Sequence, residues 1–234
     1  MSLVLASIAI WFNMVYTHLA MKVYFLRHGR TEWNAKHRIQ GSNKEIDLDG
    51  EGVKQAEAVA EGFRRAGLEF DRVYSSPYRR AVHTAEIVCA KTGGVPVLDD
   101  RIREIGFGEY EGTPFLDGGF LDDNIRAAFE DPAKYVPRGG EAYSQVFARV
   151  GDFLDRELKA LEGKCDKVLV VAHGGVLHAV VTLVLGLDVS RFWEGRQQNC
   201  CVHEIGLENG SFTLLERNAN YKWDGDAAGA LKGG

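Results

Sequence analysis

Between Lys167 and His173 the chain carries Val168-Leu169-Val170-Val171-Ala172, unbroken by any polar side chain, and His173-Gly174-Gly175 follows at once. A strand that is apolar on both of its alternating faces belongs inside a parallel sheet covered by helices on either side. The chain is thereby directed to an α/β fold, with three α/β/α layers around a mostly parallel central sheet. A second stretch of similar design lies near the start. Val23-Tyr24-Phe25-Leu26 reads as a strand over about 22–27, and its carboxyl end delivers Arg27, His28 and Gly29, then Thr31 and Asn34. Ligands of open α/β sheets bind at such ends. A glycine after each histidine lets the backbone come close to a ligand.

The intervening segments supply the helical layers. Val53, Ala56, Ala60 and Phe63 form an apolar stripe at helical spacing, with Asp49 as N-cap and Gly67 as terminator. Asp71–Ser75 reads as a short strand. Ser76 and Pro77 are expected to open the next helix, as N-cap and first helical residue, and it runs past Arg79 and Arg80 to about Ala90. Two arginines at a helix amino end oppose its dipole but suit a bound anion; one is expected to serve the ligand and the other to be solvated or salt-bridged. Val95-Pro96-Val97-Leu98 fits an edge strand. Residues 113–140, dotted with glycine and proline around one helix near 121–130, fit a small helical insertion acting as a lid. A long amphipathic helix over 141–161 precedes the central strand. A helix over 176–187 follows it, placing Gly174-Gly175 N–H groups at a helix amino end. Strands near 200–207 and 211–218 are joined by an Asn209-Gly210 hairpin turn.

Length and composition narrow the setting. The chain has 234 residues, enough for a sizeable core, and no linker or repeat divides it. Residues 21–223 therefore read as one domain. A net charge of −5 argues against a general nucleic-acid binder. Cys89, Cys165, Cys200 and Cys201 lack metal-site or disulfide-framework spacing and read as the reduced thiols of a cytoplasmic protein. Residues 1–20 carry no Asp, Glu, Lys or Arg. They read as an extension outside the core, with Met21 as the natural start; a signal peptide or membrane anchor, and an added packed helix, are the alternatives. The Gly/Ala-rich residues 224–234 read as a flexible tail.

Two strand ends thus each offer a histidine followed by glycine, a helix amino end offers arginine, and a loop offers Glu104, Glu109 and Glu111. These are the parts for phosphoryl transfer through a covalent intermediate. A histidine can attack phosphorus, arginines can match the non-bridging oxygens, and a carboxyl can give a proton to the departing alkoxide and take one from water. With so many cations no metal is required. Metal binding is the competing use of the histidines, but His173 and His178 stand five apart and do not share one helix face. His83 and His178 read as helix-packing residues, and His37 as a loop residue, with a place at the site's mouth as the alternative.

Four ordered motifs bear on this reading. Leu26-Arg27-His28-Gly29-x-Thr31-x-Trp33-Asn34, Ser75-Ser76-Pro77-Tyr78-Arg79-Arg80-Ala81-x-x-Thr84-Ala85, Arg103-Glu104-Ile105-x-Phe107-Gly108-x-x-Glu111-Gly112 and Val171-Ala172-His173-Gly174-Gly175 together resemble the histidine phosphatase superfamily, with its phosphoglycerate mutase-like fold. Weaker matches are Arg38-x-Gln40-Gly41, Gly52-x-x-Gln55-Ala56 and Pro137-x-Gly139-Gly140-Glu141; Arg30 and Ala142 depart from the pattern. The resemblance implies His28 as the phosphorylated nucleophile, Glu104 as general acid/base, and His173, Arg27 and Arg80 completing the catalytic group. Asn34, Thr31 and Gly174 would join Arg27, Arg80 and His173 in binding phosphate. The short span from Glu104 to His173 resembles the compact phosphatase branch, which includes α-ribazole phosphatase-like members. The implied activity is metal- and cofactor-independent hydrolysis of a small phosphorylated metabolite. A cofactor-dependent phosphoglycerate mutase and a non-catalytic phosphate-binding member remain as alternatives. A homodimer is compatible with the sequence, and no motif decides it.

Overall fold

The two apolar runs become β1 (Met21–Arg27) and β4 (Lys167–Ala172), paired in parallel with Arg27 opposite Ala172. The computed structural model describes residues 20–115 and 119–223. The expectations for the amino-terminal extension and the tail fall on residues outside these. Four α-helices and two strands follow β1 before the middle of the fold: α1 (Glu32–Ala35), α2 (Gly50–Arg65), β2 (Arg72–Ser75), α3 (Arg79–Thr92), the edge strand β3 (Val97–Leu98) and α4 (Asp123–Glu130). Next come α5 (Tyr143–Asp152), β4, α6 (Gly174–Leu185), β5 (Val202–Glu208) and β6 (Ser211–Ala219).

The sheet order is β3-β2-β4-β1-β5-β6. The first four strands are parallel, and β5 and β6 are antiparallel additions. Side-chain alternation divides the interior in two. Val23, Phe25, Val168 and Val170 point to one face, where they meet Val146, Val150, Phe153, Leu177 and Val180 of the α5 and α6 layer. Tyr24, Leu26, Leu169 and Val171 point to the other and meet Ala56, Val59, Phe63, Ala85 and Val88 of α2 and α3. This double burial is why β4 needed apolar residues at every position. Asp49 caps α2 as expected, its carboxylate accepting from the Gly52 N–H at 2.8 Å. Among the described residues no helix is long and apolar enough to cross a membrane.

Three expectations need correction. The helix after β2 starts at Arg79, and its N-cap is Tyr78, not Ser76. The Ser76 N–H donates to the Val171 carbonyl at 3.0 Å, extending the β2–β4 ladder one residue too far for a helix to begin there. The segment 141–161 is helical but not uniformly α: a π turn over Phe153–Leu158 and a 3-10 turn over Lys159–Leu161 complete it. His83 does not pack between helices; its Nδ1 lies 2.8 Å from the Asp47 carboxylate.

Candidate active site

The site forms because three parallel strands end at one level. β1 continues past its last residue through the His28 N–H, which donates to the Ala172 carbonyl at 3.0 Å. β4 ends one residue later at His173, which is the N-cap of α6, and β2 ends at Ser75-Ser76. His28 and His173 are thereby set side by side with ring centroids 5.2 Å apart, and both are buried.

The His28 Nδ1 is 2.7 Å from the Gly29 carbonyl oxygen. A carbonyl can only accept, so Nδ1 carries the proton in the neutral ring and Nε2 holds the lone pair. Burial, with the charges of Arg80 and Arg27, holds the imidazole pKa well below its usual value. His28 is therefore a neutral base at pH 7. His173 is depressed in the same way, by burial first and then by Arg80 and His28. Its Nε2 lies 2.7 Å from Ser76 Oγ, while its buried Nδ1 has no protein partner.

The arginines are held by backbone carbonyls. Arg27 Nη1 donates to the Gln197 carbonyl at 2.8 Å. Arg80 is fully buried; its Nη1 donates to the Asn43 carbonyl at 2.7 Å and its Nη2 to the Gly41 carbonyl at 3.0 Å. Neither is neutralised by an ion pair among the described residues, and the buried Nε of each has no protein partner. Burial lowers the Arg80 pKa to about 10, leaving it charged at pH 7. Arg79, its neighbour, is exposed and pairs with Asp47, as the division between the two predicted.

Glu104 faces the same floor. Its two oxygens accept from the Ile105 N–H at 3.0 Å and the Gly175 N–H at 3.3 Å, yet burial outweighs these and Arg80 and raises its pKa. Gly175 is required for this approach: a Cβ there would lie 2.5 Å from Glu104 Oε1. Glu109 and Glu111 are not part of the floor. Glu109 pairs with Arg138, and Glu111 staples a loop by accepting from the Ser42 and Phe107 N–H groups.

A cavity of about 620 Å³ opens above this floor. Arg27, His28, Asn34, Arg80, Glu104 and Gly174 line it, together with His37. His173 and Thr31 lie behind the lining. Thr31 accepts from the Asn34 N–H at 3.1 Å and so caps α1. Three contributors escaped sequence reasoning. Ser76, which its sequence setting marks as a helix cap, instead partners His173. Asn199 donates to the His28 carbonyl at 3.1 Å and to Asn34 Oδ1 at 3.2 Å. Gln197 offers the carbonyl that holds Arg27. The last two sit in a motif-free stretch before β5, and the β1–β5 pairing alone brings them here.

Comparison with known proteins shows the family. Residues 23–220 match the family model of the histidine phosphatase superfamily, branch 1. The chain belongs to this superfamily. It is 34% identical over 202 residues to phosphoserine phosphatase 1 of Hydrogenobacter thermophilus, covering 85% of this chain and 92% of that one. It is 33% identical over 162 residues to phosphoglycerate mutase-like protein 4 of Arabidopsis thaliana, covering 68% and 69%. Among solved structures, mycobacterial glucosyl-3-phosphoglycerate phosphatase in complex with VO3 superposes with a TM-score of 0.70 at 30% identity, covering 86% of this chain and 100% of that one.

Proposed function

We propose that this histidine phosphatase superfamily member hydrolyses phosphomonoesters through a phosphohistidine on His28. The observation that carries the reading is the Nδ1 tether to Gly29: it fixes the tautomer and leaves the Nε2 lone pair beside two unneutralised arginines. In the first half-reaction Nε2 attacks phosphorus, the P–O ester bond breaks, and the departing alkoxide takes the proton of the Glu104 carboxyl. Raising the Glu104 pKa enlarges the protonated fraction that this step needs. In the second, the Glu104 carboxylate removes a proton from water, the water oxygen attacks phosphorus, and the P–N bond breaks to release phosphate and neutral His28. Arg27 and Arg80 bind the non-bridging oxygens, and Asn34 and the Gly174 end of α6 border them. His173, buried beside His28, adds charge when a dianion draws a proton onto it. Thr31 acts indirectly, by orienting Asn34.

A quenched-flow experiment with a ³²P-labelled ester tests this. Label should appear on the protein as an acid-labile, base-stable adduct, turn over at the rate of phosphate release, and vanish in His28→Ala. Phosphate release that survives His28→Ala would sink the assignment. Isomerisation of phosphoglycerate without net phosphate release would make the chain a mutase instead.

A further inference from the structure

A phosphate alone does not need a cavity of about 620 Å³, and the remaining walls have a definite chemistry. One side is aromatic. Phe107, Phe115, Phe129 and Trp193 line it. The Phe129 ring stacks on Phe107 at 5.4 Å and on Phe115 at 5.5 Å, and lies 5.1 Å from Trp193. Trp193 is pinned by its Nε1, which donates to the Ala128 carbonyl at 2.8 Å and to Tyr143 Oη at 2.9 Å. This is a preorganised apolar surface; Phe115 and Phe129 come from the 113–140 insertion, and Phe107 and Trp193 from outside it.

The rim is cationic. Arg38, Arg196 and Lys222 border the cavity, and none of them pairs with a carboxylate among the described residues. Arg38 is steadied by donating to the Gly112 carbonyl at 2.8 Å. Among the described residues Glu104 is the one carboxylate in the lining, and it belongs to the phosphate floor. Among the described residues an ammonium group on a substrate would therefore meet cations and no counter-charge at this rim, whereas a second anion would find several partners.

We infer that the preferred ester, on the hydrolase reading above, has an alcohol bearing a ring that lies on the Phe115–Phe129–Trp193 wall and a second anionic group at the rim, and bears no ammonium. Phe115 and Phe129 of the insertion, with Trp193, thus select the ring, and Arg38, Arg196 and Lys222 select the charge.

The test is phosphate release from alkyl esters of similar leaving-group basicity: ethyl phosphate, benzyl phosphate, para-carboxybenzyl phosphate, O-phosphoserine and the deamino analogue of O-phosphoserine. Benzyl phosphate should exceed ethyl phosphate in kcat/KM by about tenfold, in keeping with an aromatic contact. The para-carboxylate should add a further gain that fades with salt. The deamino analogue should exceed O-phosphoserine. Phe115→Ala should shrink the benzyl-to-ethyl ratio, and Arg196→Ala with Lys222→Ala should shrink the carboxylate gain. Ethyl phosphate equal to benzyl, or O-phosphoserine preferred over its deamino analogue, overturns this inference while leaving the hydrolase intact. No release from any ester overturns the hydrolase reading, and the inference with it.

Discussion

The imidazoles of His28 and His173 stand with ring centroids 5.2 Å apart, inclined at 61°. Burial first, and then Arg80, lowers the tendency of both to protonate, and His28 lowers that of His173 further. An arriving phosphate reverses that balance, because an anion favours the charged ring. Phosphate binding near pH 6.5 should therefore take up protons. Calorimetry in buffers of differing ionisation enthalpy measures the uptake, and His173→Asn should reduce it and lower kcat by roughly 10²–10³. Binding without proton uptake at that pH would remove the charge-supplying role of His173.

Arg80 is held by two carbonyls that fit a fork and not a point charge. Arg80→Lys should leave one or both carbonyls unpartnered and withdraw the fixed nitrogen from the phosphate, costing about 10²-fold or more in kcat/KM. Weaker inhibition by inorganic phosphate should accompany the loss. A lysine variant with near-normal inhibition would mean that Arg80 acts on the fold and not on the ligand.

If Glu104 protonates the leaving alkoxide, its importance scales with leaving-group basicity. Glu104→Gln should slow ethyl phosphate hydrolysis far more than that of para-nitrophenyl phosphate, whose leaving group needs little proton assistance. Comparing kcat/KM for the two esters in both proteins decides the point. Equal losses would point to positioning instead of proton transfer.

Four buried histidines predict an acid-sensitive fold. Burial holds His28 and His173 well below the usual imidazole value, His178 at about 3 and His203 at about 4. The unfolded chain binds protons near pH 6.5 that the folded chain refuses, so stability is full above that pH and falls below it. Each such site adds a slope of about 1.4 kcal/mol per pH unit until its folded pKa is reached. Glu104, shifted upward, acts in the opposite sense, but it is one group against four. The urea midpoint should drop clearly between pH 7 and pH 5; an unchanged midpoint would contradict the burial of neutral rings.

Gly52 lets α2 dock on the turn after His28. A Cβ there would lie 2.0 Å from the Arg30 carbonyl oxygen, and the neighbouring Gln55 accepts from the Arg30 N–H at 3.0 Å. Gly52→Ala should destabilise by roughly 1–3 kcal/mol through overpacking and lower kcat/KM as the turn shifts. Denaturation and turnover can be measured on the same sample, and a neutral substitution would show that the turn tolerates displacement.

Much of the fold could be read from side-chain patterns, because β1 and β4 are apolar at successive positions and the segment of α2 at intervals of three and four. His28, Arg80, Glu104 and His173 could be read because each sits at the end or start of an element inside a motif. Ser76 was misassigned for a local reason: a serine before proline is as good a cap as it is a strand end, and the hydrogen bond to Val171 decides between them. Gln197 was out of reach, since its carbonyl serves an arginine 170 residues away. No local propensity encodes a contact of that separation; the strand register does.

The clamp on Arg80 is made of peptide carbonyls, not of side chains. Position 43 can therefore change its side chain without changing what holds the guanidinium, as long as the turn keeps its path. The rim of the cleft is in this way uncoupled from its floor. Lineages can remodel the mouth for new esters while the phosphate-facing charge stays aimed, which is one physical route by which a single chemistry comes to serve many substrates.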